Sequence, residues 1–273
     1  MRGLCHWAWQ SRLRVSSSLP KLPASFLRKP IAHRALHDVT KGRPENSRAA
    51  VRAAVQLGYG IEIDVQLSAD DQAMVFHDYA LDRLTLATGS VRQSCAKTLA
   101  KTPLRHGDEG VPTLSEVLEI VEGKVPLLVE VKDQDGALGP SVGVLENAVV
   151  AALNGYDGDV ALMSFNPHSV AELQRLAPDL PRGLVTEDFL KAKDWVAPQK
   201  RLERLSAIAD YERVDASFIS HNHRHFPSDR VDELKNAGAN ILCWTVKSQD
   251  DEKRARLVAE NVTFEGYLAA IPA

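Results

Sequence analysis

The sequence predicts an α/β protein whose parallel strands close into a barrel, on three observations. Short apolar runs alternate with amphipathic segments of helical length, the pattern of a parallel sheet covered by helices. The chain has 273 residues, close to the roughly 250 that such a barrel uses. Several of the apolar runs end in ionisable residues, as expected where a site is built on the carboxyl rim of a barrel.

In chain order, Pro30-Ile31-Ala32-His33-Arg34 reads as the first strand, ending in a histidine and an arginine. A helix is expected over 46–58, opened by Asn46 or Ser47 as its cap. The second strand, 60–67, begins Gly60-Ile61-Glu62-Ile63-Asp64-Val65. Alternate side chains of a strand share a face, so Glu62 and Asp64 stand together while Ile61, Ile63 and Val65 take the other side. Burying two such anions unpaired costs on the order of several kcal/mol, so positive charge belongs between them, and a divalent cation is the simplest candidate.

Residues 73–77 read as a third strand, ending in His77. The five residues 68–72 leave no room for the dozen or more of a parallel crossover. Either this run is not an ordinary barrel neighbour of the second strand, or the second strand extends beyond the rim. Residues 78–112 lack clear periodicity and read as a substrate loop or small insertion on the catalytic face. Thr113-Leu114-Ser115-Glu116 is a capping box that opens a helix over 113–122. The next strand, 126–132, puts Glu130 and Lys132 on one face. Strands then follow at 159–164, 181–185, 215–220 and 240–246, with helices at 142–154, 168–177, 199–209, 228–238 and 249–260. Phe264-Glu265-Gly266-Tyr267-Leu268 offers a further strand. His221-Asn222-His223-Arg224-His225 reads as a solvated polar loop on the rim, with a second metal site or a contact to an anionic substrate as alternatives.

The net charge of -3 carries no basic footprint of a nucleic-acid binder. Cys5, Cys95 and Cys243 are widely spaced and form no CxxC pair, which argues against a disulfide framework or zinc knuckle and for a reducing compartment, the cytoplasm. No run approaches the roughly 20 apolar residues of a membrane span. Residues 1–29 are Arg- and Lys-bearing, with no acid before Asp38, and read as a flexible N-terminal extension, with organelle targeting as the alternative. Residues 30–273 read as one barrel domain.

An ordered set of motifs then points to a family. His33-Arg34, Pro44-Glu45-Asn46, Glu62-Ile63-Asp64-Val65, Val75-Phe76-His77-Asp78, Glu130-Val131-Lys132, Ser164-Phe165 and Trp244-Thr245-Val246 follow one another as in the glycerophosphodiester phosphodiesterases. The chain resembles that family over about 30–270. The resemblance implies a (β/α)8 TIM barrel that hydrolyses glycerophosphodiesters to sn-glycerol 3-phosphate and an alcohol with one divalent metal. It implies Glu62, Asp64 and Glu130 as metal ligands and His33 and His77 as the acid–base pair. Arg34 and Lys132 would contact phosphate, Phe165 and Trp244 would contact substrate, and Glu45 would support the site. Four positions depart from the family pattern: Ala35 where glycine is usual, a longer 35–43 segment, Lys247, and Ala269-Ala270-Ile271-Pro272 near the end.

The implied chemistry suits these residue types. A hard cation held by carboxylates offsets phosphodiester charge, and an all-oxygen ligand set favours Mg²⁺ or Ca²⁺, then Mn²⁺, over zinc. Arginine grips phosphate through parallel hydrogen bonds, and histidine exchanges protons near neutrality. The expected partner is a small-molecule glycerophosphodiester. The rival readings are a lysophospholipase D-like lipid phosphodiesterase and a catalytically inactive phosphodiester-binding barrel. The oligomeric state is not legible.

Overall fold

The computed structural model describes residues 20–192 and 195–272. Its strands are β1 (Ile31–Ala32), β2 (Gly60–Leu67), β3 (Ala73–Val75), β4 (Leu127–Val131), β5 (Val160–Ser164), β6 (Arg182–Thr186), β7 (Phe218–Asn222), β8 (Asn240–Val246) and β9 (Asn261–Phe264). The helices are α1 (Ser25–Arg28), α2 (Arg48–Leu57), α3 (Ala96–Leu99), α4 (Leu114–Val121), α5 (Val144–Ala152), α6 (Pro167–Leu176), α7 (Gln199–Ser206), α8 (Asp229–Asn236) and α9 (Gln249–Ala255). The sheet order is β1-β9-β8-β7-β6-β5-β4-β2, and β1 pairs with β2 as well, closing eight parallel strands into a barrel. This is the expected (β/α)8 architecture. Among the described residues no helix is long and apolar enough to cross a membrane.

The short 68–72 connection has a simple cause. β3 runs antiparallel to the extended top of β2, with Val65 opposite Val75 and Leu67 opposite Ala73. The pair is a hairpin outside the barrel count, which a short turn can join where a parallel crossover cannot. The strand that completes the barrel is β9 at Asn261–Phe264, displaced toward the N-terminus from the expected 264–268. β7 likewise begins and ends later than expected, so His221 and Asn222 are strand residues, and only His223–His225 form a 3-10 turn.

Alternation sorts the side chains as a barrel requires. Ile61, Ile63, Val65, Leu127, Val129 and Val131 pack outward with helix residues such as Val51, Leu114 and Val117. Ile31, Leu128, Ala161, Met163, Phe218 and Leu242 face inward and fill the lower barrel. Gly183 makes room for this filling: a Cβ there would lie 2.4 Å from the Phe218 ring. Leu22 and Phe26 belong to the same inner cluster. Asn261 Nδ2 donates to the Phe26 carbonyl at 2.7 Å and the Lys29 carbonyl at 2.6 Å. Residues 20–29, placed in a flexible extension by the sequence reading, are therefore the bottom plug of the barrel; the rest of that extension, 1–19, lies outside the described residues.

Two helix starts follow their caps. Ser47, not Asn46, caps α2 by accepting from Ala50 N. Thr113 and Glu116 form the expected reciprocal box at α4. The 78–112 segment carries a core of its own: Met74, Phe76, Leu81, Val91, Leu99, Leu104 and Val111 are buried together.

Candidate active site

β2 brings Glu62 and Asp64 to the inner face of the barrel, and the adjacent β4 brings Glu130, with Asp64 in register opposite Glu130. Glu62 and Asp64 are 1 % exposed and Glu130 7 %. One carboxylate oxygen from each lies within 4.8 Å of the other two. Lys132 Nζ donates to Glu130 Oε1 at 2.6 Å and pairs with Asp64 Oδ1 at 2.8 Å. Two cations, Lys132 and Arg34, thus stand against three converging acids. Burial, with Asp64 and Glu130 nearby, pushes the Glu62 carboxyl well up. Burial acts the same way on Asp64, but Lys132, His77, Arg34 and His33 outweigh it and hold its carboxyl far below the usual range. Lys132 in turn is raised by these acids against its own burial. Three carboxylates converging in this way form an all-oxygen set that fits a hard divalent cation.

Arg34 and Ala35 occupy left-handed backbone, at φ 52° and 62°. Ala35 thus adopts the conformation that glycine takes at no steric cost, at a strain of about 1–2 kcal/mol. The turn is held by Arg34 N donating to Glu62 Oε2 at 2.8 Å, Ala35 N to the Glu62 carbonyl at 2.8 Å, and Asn46 N to the Arg34 carbonyl at 2.9 Å. These three hydrogen bonds hold the left-handed turn with alanine at this position. Arg34 Nη1 donates to Glu45 Oε1 at 2.7 Å, while its buried Nε has no hydrogen-bond partner and stands 3.6 Å from Asp64 Oδ2. That leaves an unsatisfied cationic donor beside the acids. Glu45 stands behind Arg34 and is also gripped by Arg83 Nη1 and Nη2, each at 2.9 Å.

Each histidine is tied to a carboxylate through Nδ1. His33 Nδ1 lies 2.7 Å from Glu265 Oε2, and His77 Nδ1 lies 2.7 Å from Asp78 Oδ1. Burial lowers His33 below an ordinary histidine, against the raising effect of Glu265, and the hydrogen bond to His33 brings Glu265 down to about 2. A neutral imidazole donating Nδ1–H to an ionised carboxylate satisfies both, and leaves Nε2 able to exchange a proton. His77 reaches the rim through the hairpin, not as the end of a barrel strand. Phe76 N donates to the Asp64 carbonyl at 3.0 Å, and Gln66 Nε2 to the His77 carbonyl at 3.1 Å.

His33, Arg34, Glu62, Asp64, His77, Glu130, Lys132, Phe165 and Trp244 all line one cavity of about 470 Å³, with Glu45 behind it. The sequence reading missed three partners. Glu265 follows the last residue of β9, and the displaced strand assignment hid its rim position. Asp78 is the neighbour of His77 within a motif already noted. Asn46, freed from capping, donates through Nδ2 to Asp64 Oδ2 at 2.9 Å. Of the His221–His225 cluster, His221 is a buried strand residue, while His223–His225 form a turn in which Arg224 is exposed, and among the described residues none belongs to a metal-ligating group. His221 is 4 % exposed, lies 2.8 Å from Thr186 Oγ1 through Nδ1, and burial lowers it to about 4.

Comparison with known proteins gives one family. Residues 33–260 match the glycerophosphoryl diester phosphodiesterase family profile. A glycerophosphodiester phosphodiesterase of Caldanaerobacter subterraneus is 30% identical over 234 residues, spanning 82% of this chain and 88% of that protein. The solved structure of an Oleispira antarctica phosphodiesterase in complex with its product sn-glycerol-3-phosphate is 25% identical, with a TM-score of 0.71 over 88% of this chain and 94% of that one. An Agrobacterium tumefaciens structure at 18% identity, covering 87% of this chain and 93% of that one with a TM-score of 0.73, shares the fold.

Proposed function

The chain belongs to the glycerophosphoryl diester phosphodiesterase family, and from that premise we propose that it hydrolyses glycerophosphodiesters to sn-glycerol 3-phosphate and an alcohol by metal-dependent acid–base catalysis. The observation that carries this reading is the meeting, in one cavity, of three buried acids, two carboxylate-oriented histidines and an arginine with an unpartnered buried Nε. That is the equipment of an anionic diester's hydrolysis, where a binding barrel would need no paired proton-transfer groups.

Glu62, Asp64 and Glu130 would hold the divalent cation, with Mg²⁺ or Ca²⁺ first and Mn²⁺ next by the chemistry of an all-oxygen set. When bound it supplies Lewis-acid polarisation of the phosphoryl oxygen. The Arg34 guanidinium, whose plane Glu45 fixes through Nη1, binds a non-bridging phosphate oxygen. Lys132 adds a point charge that offsets the charge of the phosphoryl group in the transition state. One histidine, neutral, takes the proton of the attacking hydroxyl at Nε2, and the other enters the step as the imidazolium and delivers its Nε2 proton to the departing alkoxide. Glu265 and Asp78 hold the two rings in the tautomer that leaves Nε2 available. The substrate is a free small molecule, and two unpaired cysteines among the described residues accord with a cytoplasmic site of action.

The test is release of glycerol 3-phosphate from glycerophosphocholine, with and without chelator. Activity that disappears on chelation and returns with Mg²⁺, Ca²⁺ or Mn²⁺ supports the reading. Full activity after exhaustive chelation would refute the role given to the three acids.

A further inference from the structure

The metal-side wall of the catalytic cavity is built by β2, β4 and their loops. The opposite wall, supplied by the ends of β5 to β8, has a different character. Phe165, Trp195 and Trp244 line it, with Glu187 among them. The Phe165 ring lies 4.9 Å from Trp195 and 5.5 Å from Trp244, inclined by 49° and 82°, so the three rings form a corner and not a stack. Trp244 is fixed by Nε1 donating to the Ser220 carbonyl at 2.9 Å. Glu187, 8 % exposed, accepts from Trp195 Nε1 at 2.7 Å and from Asn222 Nδ2 at 3.1 Å.

We propose that this wall selects a quaternary-ammonium head group, so that a choline diester is the preferred substrate; the proposal rests on the hydrolytic reading above. The acids of the metal side face Lys132 and Arg34, but Glu187 is held only by neutral donors among the described residues. A carboxylate so placed, in a wall of aromatic rings, lacks a cation. A quaternary ammonium supplies one without requiring hydrogen bonds, and aromatic faces attract it. A fatty acyl chain fits the rings but would strip water from Glu187 with no compensating charge. A polyol head group would leave the ring faces without a partner.

The experiment compares kcat/KM for glycerophosphocholine and glycerophosphoglycerol in metal-saturated enzyme. We expect a preference of about tenfold for the choline diester, and a ratio reduced by about tenfold in Glu187→Gln and in Trp195→Leu. Choline should inhibit more strongly than its neutral carbon isostere. Equal kcat/KM for the two diesters in the wild type would overturn the proposal. So would a Glu187→Gln variant that loses activity equally on both, which would place Glu187 against the glycerol they share. If no glycerophosphodiester is turned over, it is the hydrolytic reading that fails. Quenching of tryptophan fluorescence by choline, present in the wild type and lost in Glu187→Gln, then still decides the proposal.

Discussion

Replacing Glu265 with glutamine separates the orientation of His33 from its presence. The substitution keeps size and one acceptor oxygen but removes the charge. The bond affected is 2.7 Å long, between a buried imidazole and a carboxylate brought to about 2 by that same bond, with Lys247 as a second partner at 3.2 Å. A hydrogen bond to a charged group contributes about 1.5–3 kcal/mol, against about 0.5–1.5 for a neutral one. The difference, about 1–1.5 kcal/mol, corresponds to roughly a tenfold loss in kcat/KM, since 1.36 kcal/mol is tenfold in rate. A larger loss is expected if the amide turns its NH₂ toward Nδ1 and forces the wrong tautomer. Glu265 also raises the His33 pKa, so its removal should move to lower pH whichever limb of the kcat/KM profile His33 governs, the acid limb if it is the base and the basic limb if it is the acid. The assay is glycerol 3-phosphate release across pH 5 to 9, beside His33→Ala as reference. If Glu265→Gln kept wild-type kcat/KM with both limbs of the pH profile unmoved while His33→Ala was inactive, the orienting role of Glu265 would be wrong.

Three further outcomes follow from the geometry. His33→Ala and His77→Ala should each lower kcat by about 10²–10⁴ while metal affinity, read by calorimetry, changes little. His221 has a folded value of about 4 against 6.5 for a free histidine, so between those pH values the unfolded chain binds the extra proton. Stability should therefore fall by about 3 kcal/mol as pH drops through that window, and urea unfolding at both pH values should show most of this change absent in His221→Asn. Phe26→Ala should destabilise by about 3–5 kcal/mol, because it opens a cavity in the plug at the barrel floor; an unfolding midpoint equal to wild type would show that the plug contributes nothing.

The inner acids were legible because the two-residue period of a strand leaves only one arrangement for Glu62 and Asp64 once Ile61 and Ile63 are given to the core. The barrel was legible from a different signal, the alternation of short apolar runs with amphipathic helical segments along a chain of barrel length. What escaped depended on contacts far apart in sequence. Leu22 and Phe26 look like any apolar pair in a basic segment until the barrel floor exists to receive them. Glu265 is an unremarked acid unless β9 is placed to end at Phe264, and four residues are too few for periodicity to fix that register. Trp195 and Glu187 come from a connecting segment, where no repeat relates a residue to the site.

β1 has only two residues, and it joins β2 on one side and β9 on the other. The strands from β2 to β8 can pair in sequence without it, but the first strand has its second neighbour only in 261–264. The floor is also sealed late, because Asn261 carries the hydrogen bonds to the 26–29 turn. Glu265, the partner of His33, arrives immediately afterwards. The closing strand, the seal of the floor and the partner of His33 are thus all supplied by residues 261–265, so one short segment completes both the barrel and the His33–Glu265 pair. Ribosome-bound chains stalled before residue 261 would be expected to be protease-sensitive at 20–34 and inactive, whereas the earlier strands could already be protected.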